Sequence, residues 1–416
     1  MSTLPPRPPA HAAHPYFTAS GDDLVIGGTT VRALAERLGR TPFYAYDRDA
    51  IGRRVAELRA LLPPSVDLHY AMKANPAPSV VGHLVPLIEG IDVASGAELS
   101  VALAAGAKVA GISFAGPGKS EPELAQAHAA GIVINVESQR ELRILDALGR
   151  TSGRRARVAI RVNPDFELKT SGMKMSGGPK QFGIDAEQVP ACLRALAALE
   201  VEFVGFHIFS GSQNLKCEAI VEAQLKAFDL ALELARAAPT PTPVRILNLG
   251  GGFGIPYFPG EAPLELGPIA VNLDALARRA VRELPEAKLV VELGRYLVGE
   301  AGLYVCRVID RKISRGQVFL VTDGGLHHHL AASGNFGQVI RKNYPVVIAN
   351  RMAATEREIA SVVGPLCTPL DLLADRMPLP PAGPGDLVAV LQSGAYGLSA
   401  SPLAFLSHPP PAEILV

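Results

Sequence analysis

Between residues 67 and 294 the chain repeats one pattern eight times: a short run of β-branched and apolar residues, a turn, then a longer stretch rich in Ala, Leu, Arg and Glu. The runs are DLHYAMK (67–73), GIDVA (90–94), ISFAG (112–116), GIVINV (131–136), RVAIRVN (157–163), EFVGFHIFSG (202–211), RILNLGG (245–251) and KLVVELG (288–294). Such runs read as buried strands, and the stretches between them, GAELSVALAAG and CEAIVEAQLKAFDLALELARAA among them, as helices. Alternating strands and helices predict a parallel sheet covered by helices, and eight units predict an α/β fold built on a closed (β/α)8 TIM barrel over residues 45–294.

After Arg295 the texture changes to YLVGEAGLYVCRVIDRKIS, QVFLVTDGG, REIASVVGP and GDLVAVLQSGAYG, which lack long helical spacers. An all-β domain, sandwich-like or barrel-like, is expected over 295–416. Residues 21–44 carry a strand and a short helix expected to pack with it, and the proline-rich residues 1–20 are expected to form a disordered tail. The 40 basic and 40 acidic residues cancel, leaving no field to attract nucleic acid or an anionic membrane. No run of 18 apolar residues and no signal-peptide core occurs, so a soluble cytoplasmic protein is expected. Cys192, Cys217, Cys306 and Cys367 are widely spaced and form no CxxC, which suggests neither a zinc site nor a disulfide framework.

In barrels of this kind the chemistry sits at the C-terminal ends of the strands. Lys73 closes the first strand, Asp92 lies late in the second, and His207 and Phe209 end the sixth. Gly250-Gly251-Gly252 closes the seventh, and Glu292 and Arg295 the eighth. A lone lysine at a strand end is more often solvated or paired with a phosphate. In this company it points to a Schiff-base lysine, and the coenzyme that most often uses one is pyridoxal 5'-phosphate. The glycine run, besides being a tight turn, lets backbone N–H groups approach a phosphate. Arg295 adds a forked donor and Tyr396 a hydroxyl. Glu292, otherwise a barrel-end salt bridge, suits the pyridine nitrogen. Asp92 reads either as a coenzyme contact or as a helix N-cap. His207 and Phe209, two apart on one strand, share a face, where a ring can stack on the coenzyme or simply fill the core.

YAMKANP, DVASGAEL, GFHIFSGSQ, NLGGGFGIPY, ELGRYLVGEAG, GPLCTPLD and SGAYG resemble, in order, the motifs of the ornithine/diaminopimelate/arginine decarboxylases of pyridoxal-phosphate fold type III. DGGLHHHLAASGNFGQVIRKNYP and NPDFELKTSGMKM are most similar to the members associated with exosortase A systems. The resemblance implies that Lys73 forms the imine with the coenzyme and Glu292 partners its pyridine nitrogen. It implies that Ser212, Gly251, Gly252, Arg295 and Tyr396 meet the phosphate, and that Cys367 donates the proton. It further implies a homodimer with shared sites and a small amino-acid substrate.

Departures from the family pattern bear on that substrate. Phe209 stands where these enzymes commonly place a ring-stacking histidine. Thr368 replaces the acidic residue that meets a distal amine, and Ala331 lies where an arginine reads a distal carboxylate. Thr368, Asp371, His327 and His329 are the candidate substrate contacts. On an extended segment the three histidines 327–329 would alternate faces, so His327 and His329 would share one and no single metal ion would easily take all three. An amino-acid decarboxylase is the main reading. A decarboxylase of a carrier-protein-bound glutamyl thioester, an amino-acid racemase and a non-catalytic regulatory homologue are the alternatives. Racemases of this fold tend to place an arginine by the pyridine nitrogen, so Glu292 speaks against that reading.

Overall fold

In the computed structural model residues 10–166, 173–174, 177–238 and 243–416 are described. The chain divides into two compact units. One is a barrel unit of Gly52–Gly254 and Leu264–Leu297. The other holds the described residues up to Ile51, with Ile255–Pro263 and Val298–Val416.

The barrel unit contains eight parallel strands: β1 Val66–Ala71, β2 Gly90–Val93, β3 Ile112–Phe114, β4 Val133–Val136, β5 Ala156–Asn163, β6 Val201–Ile208, β7 Ile246–Gly251 and β8 Lys288–Leu293. They pair in chain order and β8 returns to β1, so the sheet closes. Each expected strand is present, and a closed barrel explains why they read as nearly unbroken apolar runs: helices cover one face and the barrel interior the other. Val133, Ala159 and Val204 form one such core cluster, with Ile246 against it. Capping chemistry sets the helix starts. Ser95, Ser120 and Ser138 each accept the backbone N–H three residues on, and Ser120 with Glu123 forms a reciprocal capping box. The N-cap before Gly96–Ala104 is therefore Ser95, and Asp92 stays inside β2.

The second unit is mainly sheet. Its long strand Gly302–Ser314 pairs through its first half with Phe43–Tyr46 and Leu387–Val390, and through its second half with Gln317–Thr322. Leu24, Ile26, Val31, Leu34 and Phe43 share a core with Leu303, Val305, Leu387 and Ala389. Of the expected disordered tail, residues 1–9 lie outside the described residues, and the rest is ordered. Thr18–Ser20 pairs with Asp23–Val25, the Ala10 carbonyl accepts the Gly260 N–H at 2.9 Å, and the His14 ring stacks on Phe17 at 4.0 Å. Most of the NPDFELKTSGMKM motif, residues 167–172 and 175, also lies outside the described residues. All four cysteines are free, Cys367 exposed and the others buried. Among the described residues no helix is long and apolar enough to cross a membrane.

Candidate active site

Polar groups gather at the C-terminal ends of several barrel strands. Lys73 lies two residues beyond the strand end, in the single turn Met72–Ala74 that follows β1, and not in the strand itself. Asn75 stops that turn, its side chain accepting the Ala77 N–H, before Pro78 opens the next helix. The Lys73 ammonium stays half-exposed, 3.9 Å from Glu292 Oε1 and 5.5 Å from the centre of the Phe209 ring. Phe209 follows β6, and Gly250 leaves room for its ring: a Cβ there would press on Phe209 Cδ2.

Glu292 is only 4 % exposed. Burial opposes its charge, but the His207 imidazole at 3.1 Å, then the charges of Lys73 and Arg161, outweigh burial and hold the carboxyl well below the usual carboxylate range. Asn248, from β7, donates to Glu292 Oε2 at 3.4 Å, and its carbonyl oxygen accepts the Gly250 N–H at 2.8 Å. One amide therefore orients the carboxylate and closes the glycine turn.

The turn itself admits no side chains. Gly250 and Gly252 take φ of +71° and +77°; a Cβ on Gly251 would collide with the Glu292 carbonyl, and one on Gly252 with that of Gly211. Asn214 stitches this turn to the loop after β6, its N–H donating to the Gly252 carbonyl at 2.9 Å while its own carbonyl accepts Gly254 N–H at 2.8 Å. Behind lies a small pocket lined by Ser210, Gly211, Asn214, Gln224, Gly251 and Gly252. The amide nitrogens of Asn214 and Gln224 are buried there without a hydrogen-bond partner among the described residues. Ser212 lies in the short strand Gly211–Ser212 beside this loop, and Arg295 opens the four-residue helix after β8.

Asp92 accepts the Ser113 hydroxyl and lies 3.4 Å from His69 Nδ1. The barrel unit thus brings Lys73, Asp92, His207, Phe209, the glycine turn and Glu292 to one end. His69, Asn248, Arg161 and Glu98 were not singled out from the sequence. Glu98 caps its helix by accepting the Ala94 N–H at 2.7 Å; burial raises its carboxyl, opposed by that bond and by the Lys73 charge. Arg161 donates to Glu137 at 3.1 Å. A polar residue inside an apolar strand run, as in RVAIRVN and DLHYAMK, was the signal available.

The residues fit pyridoxal phosphate. A primary amine, a buried charged carboxylate and an aromatic ring converge, and the adjacent turn offers backbone N–H groups where no Cβ can stand. The orphaned amides behind that turn add further donors.

In the second unit, Tyr396 takes a left-handed φ of 53°, and its ring lies 6.4 Å from that of Phe336. Asp371 was expected at the substrate. It is instead 3 % exposed and occupied: Oδ1 accepts the Leu326 N–H at 2.6 Å and Oδ2 the Leu366 N–H at 2.8 Å. A Cβ on Gly325 or Gly364 would collide with this carboxylate, so both glycines make room for it. Thr368, next to Cys367, accepts the Leu370 N–H.

The histidine triplet is turned, not extended: the N–H groups of His328 and His329 both reach the Gly325 carbonyl at 3.0 Å, so strand alternation does not apply. All three are buried, and His327 and His329 meet different neighbours, which corrects the expectation of one substrate-facing side. His327 stacks on His328 at 3.7 Å and faces His408, whereas His329 hydrogen-bonds Ser393 Oγ at 2.8 Å. Burial, then the neighbouring imidazoles of His328 and His408, pushes His327 down to about 3; burial chiefly holds His328 near about 4 and His329 near about 3. In the unfolded chain each titrates near about 6.5. Unfolded protein therefore takes up protons that the folded unit refuses, so this stability is full above about pH 6.5 and is lost as pH falls toward 4 and then 3. The urea midpoint should drop between about pH 7 and pH 5, and His327→Phe, which forfeits no hydrogen bond, should flatten part of that drop; a midpoint unchanged over this range would contradict it.

A family model described as "pyridoxal-dependent decarboxylase, pyridoxal binding domain" matches residues 48–299. The chain is 40% identical over 92% of its length to the L-glutamyl-[BtrI acyl-carrier protein] decarboxylase of Niallia circulans, covering 90% of that protein. It is 33% identical over 97% of its length to the diaminopimelate decarboxylase of Aquifex aeolicus, covering 93% of it. The crystal structure of Helicobacter pylori diaminopimelate decarboxylase complexed with L-lysine superposes with a TM-score of 0.81 at 28% identity, covering 92% of this chain and 94% of that one.

Proposed function

Because the chain belongs to the pyridoxal-dependent decarboxylases and so is a carboxy-lyase working with pyridoxal phosphate, we propose that its substrate is an α-amino acid whose distal end is held as a thioester on a carrier protein. The observation that carries this is the neutrality around Cys367: Thr368 is uncharged, and both oxygens of Asp371 are committed to backbone N–H groups. Among the described residues, neither Thr368 nor Asp371 offers a free carboxylate to a distal ammonium group, and Ala331 offers no charge to a distal carboxylate. The carrier-linked substrate in the name of the Niallia circulans relative supports the same reading.

When bound, the protonated pyridine of the coenzyme supplies a sink for the electron pair left at the substrate α-carbon as CO2 departs. Glu292, held charged by His207, would keep that nitrogen protonated. Lys73, half-exposed in the turn past β1, would hold the coenzyme covalently through its amine and take it back when the product amine leaves. Phe209 would pack on the coenzyme ring, and Ser212, Gly251, Gly252, Arg295 and Tyr396 would hold the phosphate. Cys367, the exposed cysteine, would deliver a proton to the α-carbon. In this reading the active assembly is a homodimer in which Cys367 serves a neighbouring copy's barrel.

CO2 release should be measured from free amino acids of both enantiomers, diaminopimelate and ornithine included, and from a glutamyl thioester on a carrier protein. The thioester is expected to exceed every free amino acid in kcat/KM by at least about 100-fold, the discrimination a site gains when an unneutralised charge would otherwise be buried. Equal or faster turnover of free diaminopimelate would overturn the assignment.

A further inference from the structure

A second carboxylate–imidazole couple stands beside the first. Glu292 on β8 and His69 on β1 are register partners in adjacent parallel strands, so their side chains leave the sheet at one height and on one face. On the other side of His69, Asp92 on β2 lies 3.4 Å from Nδ1 through Oδ2 and 3.5 Å through Oδ1. Asp92 is in turn fixed by the Ser113 hydroxyl, and Ser113 by Asn135 Nδ2 at 3.1 Å. The barrel makes room for this ring: its register neighbour is Gly90, and any Cβ there would collide with His69 Nε2. His69 is itself buried. An aliphatic residue would fill such a position without needing a glycine opposite or a carboxylate behind.

We propose that His69, clamped by Asp92, is a positioning residue that works with His207 to keep Glu292 ionised, one imidazole on each side of the carboxylate. It acts through charge, without touching coenzyme or substrate. The charged groups around it are Asp92 on β2, Glu292 on β8 and Asp67 on its own strand. Burial works against a charge on the ring, but Asp92 and then the other two carboxylates outweigh it, so the imidazole sits above its ordinary value. The inference rests on the reading that Glu292 partners the pyridine nitrogen.

The test follows the full-length holoenzyme from about pH 5 to pH 8, the range in which an imidazole changes charge, reading retention of pyridoxal phosphate on dilution and its visible absorption spectrum. His69→Gln keeps a donor toward Asp92 but cannot hold a charge, and His69→Phe removes both. Both variants should lose coenzyme at a pH about one unit higher than the wild type, which is about tenfold weaker retention on the acidic limb with little change at the alkaline end. A wild-type pH curve for His69→Gln overturns the proposal, and so does a loss of equal size at every pH, which would mark a packing role only. Glu292→Gln separates the two readings. If it leaves retention and spectrum unchanged, the assignment of Glu292 falls and this proposal with it. If it alters them while His69→Gln does not, only the role of His69 falls.

Discussion

Lys73→Ala is expected to abolish the visible absorption of the covalently held coenzyme and to lower CO2 release by more than about 10³-fold, the scale on which loss of one nucleophilic or proton-transferring side chain is felt. The fold should be untouched, because the lysine sits in a three-residue turn past the strand and its side chain is half-exposed. Glu292 should also remain charged, since the His207 contact outranks Lys73 in holding its carboxyl down. Pyridoxal phosphate therefore still binds, but without its covalent link. Mixing Lys73→Ala chains with Cys367→Ser chains should restore part of the activity, because a shared-site dimer can then hold one barrel with Lys73 and one thiol in the same site. A Lys73→Ala protein that keeps the visible band would move the anchor to another residue, and absence of rescue on mixing would argue against sharing.

The second large effect is on stability. Lys119 is 2 % exposed, donating to the Gly116 and Asn135 carbonyls at 2.8 Å each and to Glu141 at 3.2 Å. Glu137 completes the group, taking N–H bonds from Gly116 and Gly183 and the Arg161 guanidinium at 3.1 Å. Burial lowers the lysine pKa, an effect opposed by Glu141 and Glu137, so the ammonium depends on its partners to stay charged. Lys119→Met fills the volume but leaves buried carboxylates with fewer compensating charges. Breaking a buried pair in this way costs about 3–5 kcal/mol. Urea unfolding should show that loss, and Lys119→Met with Glu141→Gln should recover part of it by removing the orphaned charge. A single variant as stable as wild type would mean that water reaches the site.

The strands were legible because a closed barrel buries both faces of each one, and eight unbroken apolar runs carry that signature plainly. The strand-end residues Asp92, His207, Glu292 and the glycine turn were legible for a related reason: polar groups interrupting such runs at their C-terminal ends have one place to go. Lys119, Glu137 and Glu141 were not, since a lysine and two glutamates flanking helices look like ordinary solvated surface, and only the folded chain shows them closing on each other. His69 hid because a single histidine within a strand reads as core. Asp371 misled in the opposite way. From the sequence it reads as a candidate substrate contact, whereas its two oxygens accept backbone N–H groups that no spacing rule reveals. The histidine triplet misled because the extended geometry assumed for it is a turn stabilised by the Gly325 carbonyl.

Asp371 has one more consequence. By receiving Leu326 on one oxygen and Leu366 on the other, it staples the loop that leads into the histidine triplet to the loop that carries Cys367. A surface thiol on a slack loop would have to be brought to order in each turnover, at an entropic cost of roughly 1–2 kcal/mol for every residue fixed. Here the staple orders the Cys367 loop during folding, so the thiol, in its proposed role as proton donor, would need no such ordering before substrate arrives.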